Sequence, residues 1–244
     1  MSKNFELMQR AEKVELFAPP GMPTSVEQAM PPSTATRVPA NEEITKLVQR
    51  LFLHRDHADG PKIVSLSGIA RDDRSSWICA RAGESLASQA DTSVCVVDAN
   101  FWSPQLHTQF GVGNSTGLAG SLNSEGSIRS FATPLSGGNF WLIPAGSARP
   151  DLFARVERWR ARFAEIREEF NYILISAPSL ARESEATFVG QLADGMVLIV
   201  EANLSRREAL RWSKERLDSA KVSVLGAVLD QRTFPIPEVL YRRL

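Results

Sequence analysis

Short apolar runs rich in β-branched residues recur along the chain from Lys62 onward. Each run has the length of one strand, and its continuous apolar character is typical of strands that helices cover on both faces. The runs span residues 62–67, 93–99, 139–145, 172–178, 195–202 and 222–230. Because helical stretches separate most of them, the pattern predicts one α/β domain over residues 41–244. The predicted domain contains a doubly wound, mostly parallel sheet with helices on both faces.

Two stretches show the three-to-four residue spacing of amphipathic helices. The first, residues 41–53, places Ile44 and Val48 on one side. The second, residues 151–170, carries a longer apolar series: Leu152, Phe153, Val156, Trp159, Phe163, Ile166 and Phe170. We interpret the arginines of the second stretch as its solvated face, with a basic patch for an acidic partner as the alternative.

The N-terminal region differs in composition from the rest of the chain. Residues 18–40 contain six of the fourteen prolines and only two charged residues, so they bury too little apolar surface to offset the entropy of ordering. We predict a flexible, partly extended linker there. Residues 1–17 place apolar side chains on one helical face, which predicts a short amphipathic helix. The pattern leaves open whether this helix is frayed or docks on a partner or a membrane surface.

Charge and composition narrow the function classes. Lysine plus arginine number 28 and aspartate plus glutamate also 28, so the formal net charge is zero and gives no support for a nucleic-acid partner. Two cysteines, Cys79 and Cys95, are too few for a disulfide scaffold, and the three histidines lack metal-binding spacing. No apolar run reaches the roughly 18 residues of a membrane span. The sequence therefore predicts a cytoplasmic protein without a resident metal.

The turn after the first predicted strand is where an α/β sheet binds phosphates. A working P-loop reads GxxxxGK[ST]: its glycines let backbone N–H groups approach the phosphates, and its lysine neutralises their charge. Here Ser75 occupies the lysine position and Arg74 the preceding glycine position, while Asp72 and Asp73 would repel a triphosphate. Replacement of the lysine by another cation, Arg71 or Arg74, is the alternative.

The order of motifs resembles that of a known family. The segment VCVVDANFWSPQLHTQFGV (94–112) is similar to an apolar strand ending in Asp-x-Asp, followed by Arg-x-Pro-x-Leu-His and Phe-Gly. Four more segments follow in the family's order: GLAGSL (117–122), FWLIPAGSARP (140–150), FNYILISAP (170–178) and QLADGMVLIVEANLSRREAL (191–210). From residue 41 to 244 the chain resembles the bacterial tyrosine kinase (BY-kinase) and polysaccharide co-polymerase ATPase family. These proteins are relatives of the MinD/ParA ATPases and have a P-loop NTPase fold.

The resemblance assigns the family's catalytic positions to residues of this chain. The P-loop lysine falls on Ser75, the magnesium-binding hydroxyl on Ser76 and the Walker B aspartate on Ser176. Phosphoryl transfer depends on positioning and charge neutralisation, so loss of the lysine and the carboxylate implies no catalytic residue and no cofactor. Under the alternative, ATP or ADP with Mg²⁺ would be bound by the following residues: Arg74, Ser75, Ser76, Asp98 and Asp230.

Several of these residues also have structural interpretations. The second Walker-type motif keeps its first aspartate, Asp98, and has Asn100 in place of the second, while Asp230 takes the place of the family's asparagine near the base. We expect Asp98 to cap the turn after its strand, with a catalytic base as the alternative. Ser75 and Ser76 suit the N-cap of the following helix even without a ligand.

Two further family features are reduced in this chain. The C-terminal tyrosine cluster, the family's autophosphorylation target, is represented only by Tyr241. The helix motif Glu-x-x-Arg-x-x-Arg, which packs one subunit against the next in a ring, corresponds to Glu43, Lys46 and Gln49. With both arginines replaced, the resemblance does not imply a ring, and homo-oligomerisation stays open.

The function implied by the resemblance is that of a degenerate, non-catalytic BY-kinase-like protein. It would act as a regulatory or scaffolding partner in exopolysaccharide or capsule biosynthesis and export. The expected partner is an inner-membrane polysaccharide co-polymerase or an export component, which would bring this cytoplasmic chain to the inner membrane. A weak nucleotide-binding ATPase and an active tyrosine autokinase of the same pathway are the alternatives.

Overall fold

The computed structural model describes residues 40–53, 60–70, 74–151, 154–202 and 205–230. The predicted N-terminal helix, the predicted linker up to residue 39 and Tyr241 lie outside these residues. The helices are α1 (Ala40–Val48), α2 (Ser75–Gln89), α3 (Leu106–Gln109), α4 (Leu118–Ser121), α5 (Val156–Glu169), α6 (Glu183–Gln191) and α7 (Arg207–Ser219). The strands are β1 (Ile63–Gly68), β2 (Val94–Asp98), β3 (Thr133–Pro134), β4 (Phe140–Ile143), β5 (Tyr172–Ser176), β6 (Gly195–Glu201) and β7 (Val224–Asp230).

The strands form one sheet in the order β3-β4-β2-β5-β1-β6-β7. All neighbouring strands are parallel except β3, which pairs with β4 in antiparallel fashion. The predicted doubly wound α/β fold is therefore confirmed, and each of the six apolar runs corresponds to one strand, with β1 extending one residue beyond its run to Gly68. The two-residue strand β3 was not predicted, because so short a segment has no periodicity to detect.

Apolar side chains of alternate strand residues form a core on each face of the sheet. On one face, Val64, Leu66 and Val96 are buried with residues of α1 and α2. On the other, Ile173 and Ile175 are buried with residues of α5 and α6. Helix α7 covers the end of that second face through Leu217, which packs with Met196 and Leu198 of β6. This two-sided burial explains why the strand runs are apolar throughout rather than alternating.

Both predicted helices form, with adjusted ends. The first begins at Ala40 and continues beyond Val48 as a π-helical turn, Gln49–Leu53. The second is α5, and four members of its apolar series are buried in the core: Trp159, Phe163, Ile166 and Phe170. Among the described helices, none is long and apolar enough to cross a bilayer.

The interpretation of the α5 arginines as a solvated face is wrong for Arg162, which is only 2% exposed. Its guanidinium donates hydrogen bonds to the carbonyl oxygens of Ser121 at 2.9 Å and Gly126 at 2.9 Å, and to that of Ser124. It also pairs with Glu165 at 2.6 Å. The loop of residues 121–126 folds over this part of the helix, and Arg162 satisfies its backbone carbonyls.

Candidate functional site

A cleft of about 430 Å³ lies beyond the carboxyl ends of β1, β2 and β5, the edge at which open α/β sheets bind ligands. Its walls come from the start of α2 and from the segments that follow β2 and β5. The lining residues are Arg74, Ser75, Ser76, Trp77, Asn100, Trp102, Ser103, Gln105, Gln109, Ser179 and Arg182. A larger groove of about 870 Å³ lies between α5 and α6, away from these strand ends.

Ser75 and Ser76 are the first two residues of α2, so the expectation that they form its N-cap is wrong. Arg74 precedes the helix and makes no side-chain capping hydrogen bond. Both serines are nearly buried, and the Ser76 hydroxyl lies 2.9 Å from the hydroxyl of Ser176 at the end of β5. The residues at the magnesium-hydroxyl and Walker B positions therefore bond to each other.

Asp98 is fully buried at the end of β2 and does not line the cleft. Its carboxylate accepts hydrogen bonds from the backbone N–H groups of Asn100 at 3.1 Å, Gln105 at 3.0 Å and Leu106 at 3.0 Å. Asp98 thus holds the turn after β2 and the first N–H groups of α3, as the capping interpretation expects. Burial raises its pKa to about 6, although the three backbone donors act in the opposite direction.

Arg74 and Asp230, 156 residues apart, are brought together at the edge of the site. The Arg74 Nη1 atom lies 3.4 Å from Asp230 Oδ1 at the end of β7. The Arg74 guanidinium also lies 4.1 Å above the ring of Trp77. The cation proposed as a lysine substitute is therefore held by a carboxylate and an indole.

These side chains are a poor fit for Mg²⁺ with a nucleoside triphosphate. Magnesium prefers an octahedral set of oxygen ligands that includes one or two carboxylates and substrate phosphates. At the corresponding positions here, two serine hydroxyls bond to each other, and Asp98 is occupied by backbone donors. Within the described part of the chain, no group of three histidine, cysteine, aspartate or glutamate side chains could hold a metal ion.

The sequence did not single out the aromatic and cationic residues of the cleft. Trp102 is 43% exposed, and the guanidinium of Arg182 lies 3.7 Å above its ring. Arg149 also lies over this ring, at 4.8 Å. Two signals could have drawn attention to them: Trp102 replaces the arginine of the Arg-x-Pro-x-Leu-His pattern, and Arg182 follows the strand at the Walker B place.

The candidate interface residues make contacts within the chain. Lys46 pairs with Glu42 at 2.9 Å and with Glu43 at 3.0 Å on the same helix. The Gln49 side-chain amide donates to the side-chain carbonyl of Gln89 on α2 at 3.0 Å. These residues are exposed and are not among the residues that line the cleft.

Comparison with known proteins identifies homologues among bacterial tyrosine-protein kinases. The chain is 23% identical over 145 residues to the tyrosine-protein kinase YwqD of Bacillus subtilis, covering 59% of this chain and 61% of YwqD. It is 23% identical over 171 residues to the tyrosine-protein kinase Etk of Escherichia coli K12, covering 69% of this chain and 23% of Etk. The matches thus span less than two thirds of both relatives. No protein-family model matches the chain.

Solved structures share the fold. The chimerical protein CapA2B2 superposes with a TM-score of 0.72 at 16% identity, over 80% of this chain and 86% of that one. The kinase domain of Escherichia coli ETK gives 0.65 at 21% identity, over 79% and 78%. The MinC:MinD complex of Aquifex aeolicus gives 0.62 at 17% identity, over 74% and 72%. The resemblance to BY-kinases and the P-loop NTPase fold are both confirmed.

Proposed function

We propose that this homologue of bacterial tyrosine kinases is non-catalytic and acts as a regulatory or scaffolding partner in exopolysaccharide or capsule biosynthesis and export. The observation that supports it best is the 2.9 Å hydrogen bond between the hydroxyls of Ser76 and Ser176. A kinase of this fold would need a hydroxyl and a carboxylate at those positions, both directed at a metal ion. Here the hydroxyls of Ser76 and Ser176 form a hydrogen bond with each other instead.

The charge balance of the site supports the same proposal. Phosphoryl transfer depends almost wholly on positioning the nucleotide and neutralising the charge that develops on its phosphates. Ser75 in the lysine position supplies no charge, and Arg74 is already paired with Asp230 at 3.4 Å. Asp98 is buried and accepts three backbone hydrogen bonds, so it is not exposed to act as a base toward a substrate in the cleft.

The proposed partner is an inner-membrane polysaccharide co-polymerase or export component, with the chain in the cytoplasm and brought to the membrane by that partner. This assignment rests on the resemblance of residues 41–244 to the BY-kinase and co-polymerase family. The alternatives are a weak nucleotide-binding ATPase, which would use Arg71 or Arg74 in place of the lysine, and an active tyrosine autokinase, which would use Tyr241.

An ATPase and autophosphorylation assay tests the catalytic part of the proposal. The purified chain is incubated with ATP and Mg²⁺, with the kinase domain of Escherichia coli ETK as the positive control. Ser76→Ala is the matched variant, because it removes the remaining hydroxyl ligand and shortens a side chain only by one oxygen. We expect the wild-type chain and Ser76→Ala to show the same background rate and mass spectrometry to find Tyr241 unmodified. Magnesium-dependent hydrolysis that Ser76→Ala abolishes would contradict the proposal.

Genetic complementation tests the regulatory part. The gene is deleted in its host, and surface polysaccharide is measured by amount and chain length. We expect the deletion to change one of these quantities and Ser76→Ala to restore it as well as the wild-type gene does. A deletion without effect on polysaccharide would remove the pathway assignment, and failure of a folded Ser76→Ala protein to complement would indicate that catalysis matters.

A further inference from the structure

The cleft is walled by arginine–tryptophan stacks. Arg182 lies 3.7 Å above the ring of Trp102, and Arg149 lies 4.8 Å from the centre of the same ring. At the other wall, Arg74 lies 4.1 Å above the ring of Trp77. Stacking on an indole fixes the plane of a guanidinium and leaves its N–H edge available to an anion.

The charges of the lining are of one sign. Among the described lining residues there is no aspartate or glutamate, while Arg182 and Arg74, the latter paired with Asp230 outside the lining, are both present. Within the part of the chain that the structure describes, Arg182 and Arg149 form no ion pair. Arg182 is therefore a preorganised cation to which no carboxylate of the described residues is bound.

The remaining lining side chains are neutral and polar, namely serines, glutamines and Asn100. Such groups donate and accept hydrogen bonds without charge and suit hydroxyl groups of a ligand. A volume of about 430 Å³ accommodates a small molecule. Because Arg74 is paired with Asp230, Arg182 supplies the uncompensated charge of the lining, and one positive charge matches a ligand of low charge better than a triphosphate.

We propose that this cleft binds a small hydroxylated molecule through a phosphate or carboxylate group held by Arg182. Trp102 positions Arg182 by stacking, and the neutral side chains contact the ligand's hydroxyls. The inference deepens the proposed function, because it gives the cleft a low-charge ligand in place of a nucleotide. The oxyanion can belong to free phosphate, a sugar phosphate or a uronic acid, and the probes below separate these sources.

Binding is measured on the full chain by tryptophan fluorescence and by isothermal titration calorimetry. The probes are inorganic phosphate, glucose 1-phosphate, glucuronate and ATP with Mg²⁺. Exposed Trp102 and neighbouring Trp77 serve as the fluorescent reporters. We expect saturable binding of at least one low-charge probe, weakened by added salt because the attraction is electrostatic.

Two variants locate the site. Arg182→Gln keeps a polar, hydrogen-bonding side chain, although a shorter one, and removes the charge, and we expect it to raise the Kd about tenfold or more. Arg211→Gln is the matched control, because Arg211 is an exposed arginine of α7 outside the cleft, and it should leave the Kd unchanged. Trp102→Phe should weaken binding less than Arg182→Gln does, since a phenyl ring still stacks on a guanidinium.

The outcomes separate this inference from the proposed function. Absence of saturable binding by every low-charge probe, or a Kd that Arg182→Gln leaves unchanged, overturns the anion site and leaves the non-catalytic proposal standing. Magnesium-dependent ATP hydrolysis contradicts the non-catalytic proposal. If phosphate or a sugar anion still binds through Arg182 in that case, the anion site stands.

Discussion

Asp98 shows how one side chain can be retained at a ligand-binding edge and serve the fold. Its carboxylate is buried, and the energetic cost of burying the charged form raises its pKa to about 6. An aspartate in an unfolded chain has a pKa of about 3.9. Because the folded state binds the proton more tightly, this residue stabilises the fold fully below about pH 4. That contribution is lost as the pH rises to about 6.

The Asp98→Asn variant tests this linkage. The free energy of unfolding is measured by urea titration at pH 4.5 and pH 7.5 for both proteins. Contributions of other carboxylates cancel in the difference between them. We expect the wild-type protein to lose on the order of 2 kcal/mol more than Asp98→Asn does over this interval. At pH 7.5 the turn after β2 should still be less stable in Asp98→Asn than in the wild-type protein. An amide accepts hydrogen bonds through one oxygen, whereas both carboxylate oxygens accept in the wild type. Parallel pH profiles for the two proteins would show that Asp98 does not titrate in this range.

Sequence reasoning located the residues of the site but not their contacts. Asp98 at a strand end and Ser76 and Ser176 at motif positions follow from local pattern and from the resemblance. The hydrogen bond between Ser76 and Ser176 joins residues 100 apart in the chain, and it depends on β5 lying beside β1. The stack of Arg182 on Trp102 likewise joins segments that follow different strands, and no periodicity encodes it.

Helix α5 has an apolar face that packs in the core and a buried arginine, Arg162, that binds a neighbouring loop; we call the second feature the clamp. Its apolar side chains pack in the core, and Arg162 on the same helix donates to carbonyl groups of the loop at residues 121–126. The spacing of apolar residues predicts the core face but gives no indication of the contacts that Arg162 makes. The sequence alone does not distinguish a buried arginine from a solvated one, because the difference depends on where the loop at residues 121–126 lies.

Replacement of Arg162 should therefore destabilise the protein far more than replacement of its neighbour Arg160. Arg162→Ala leaves the buried carbonyl of Ser121 without that donor and removes the hydrogen bond to Gly126, and we expect a loss of about 2–4 kcal/mol in the free energy of unfolding. Arg160→Ala removes only an exposed pair with Glu157 and should cost less than about 1 kcal/mol. Urea titration at constant pH measures both, and equal losses would contradict the clamp.

The sheet as a whole was the most predictable part of the molecule. A strand buried on both faces needs a continuous apolar run, so all six long strands are visible in the sequence. The two-residue antiparallel strand β3 is not, because it is too short to show a period, and the ends of α1 and α5 are not, because helix ends depend on a few local hydrogen bonds. The π-helical turn at Gln49–Leu53 is another such local feature, which helical periodicity does not reveal.

Helix α1 carries Glu43, Lys46 and Gln49, the candidate interface residues, so its contacts bear on the oligomeric state of the whole molecule. One side of this helix is fixed by Ile44 and Val48 in the core. On the exposed side, Lys46 pairs with Glu43, and Gln49 bonds to Gln89 of α2. Side chains that satisfy one another within a chain contribute little to a contact between chains, because that contact must first replace the existing bonds.

The triple variant Glu43→Ala, Lys46→Ala, Gln49→Ala should therefore leave the oligomeric state of the full chain unchanged. Sedimentation velocity over a range of protein concentrations measures it, and urea titration shows whether the variant is folded. Ile44→Ala is the control on the buried side of α1 and should cost about 2–4 kcal/mol of folding free energy. A wild-type oligomer that the folded triple variant dissociates would establish these residues as an interface, because nothing in the core has changed. The same sedimentation profile for both proteins would place any self-association on another surface.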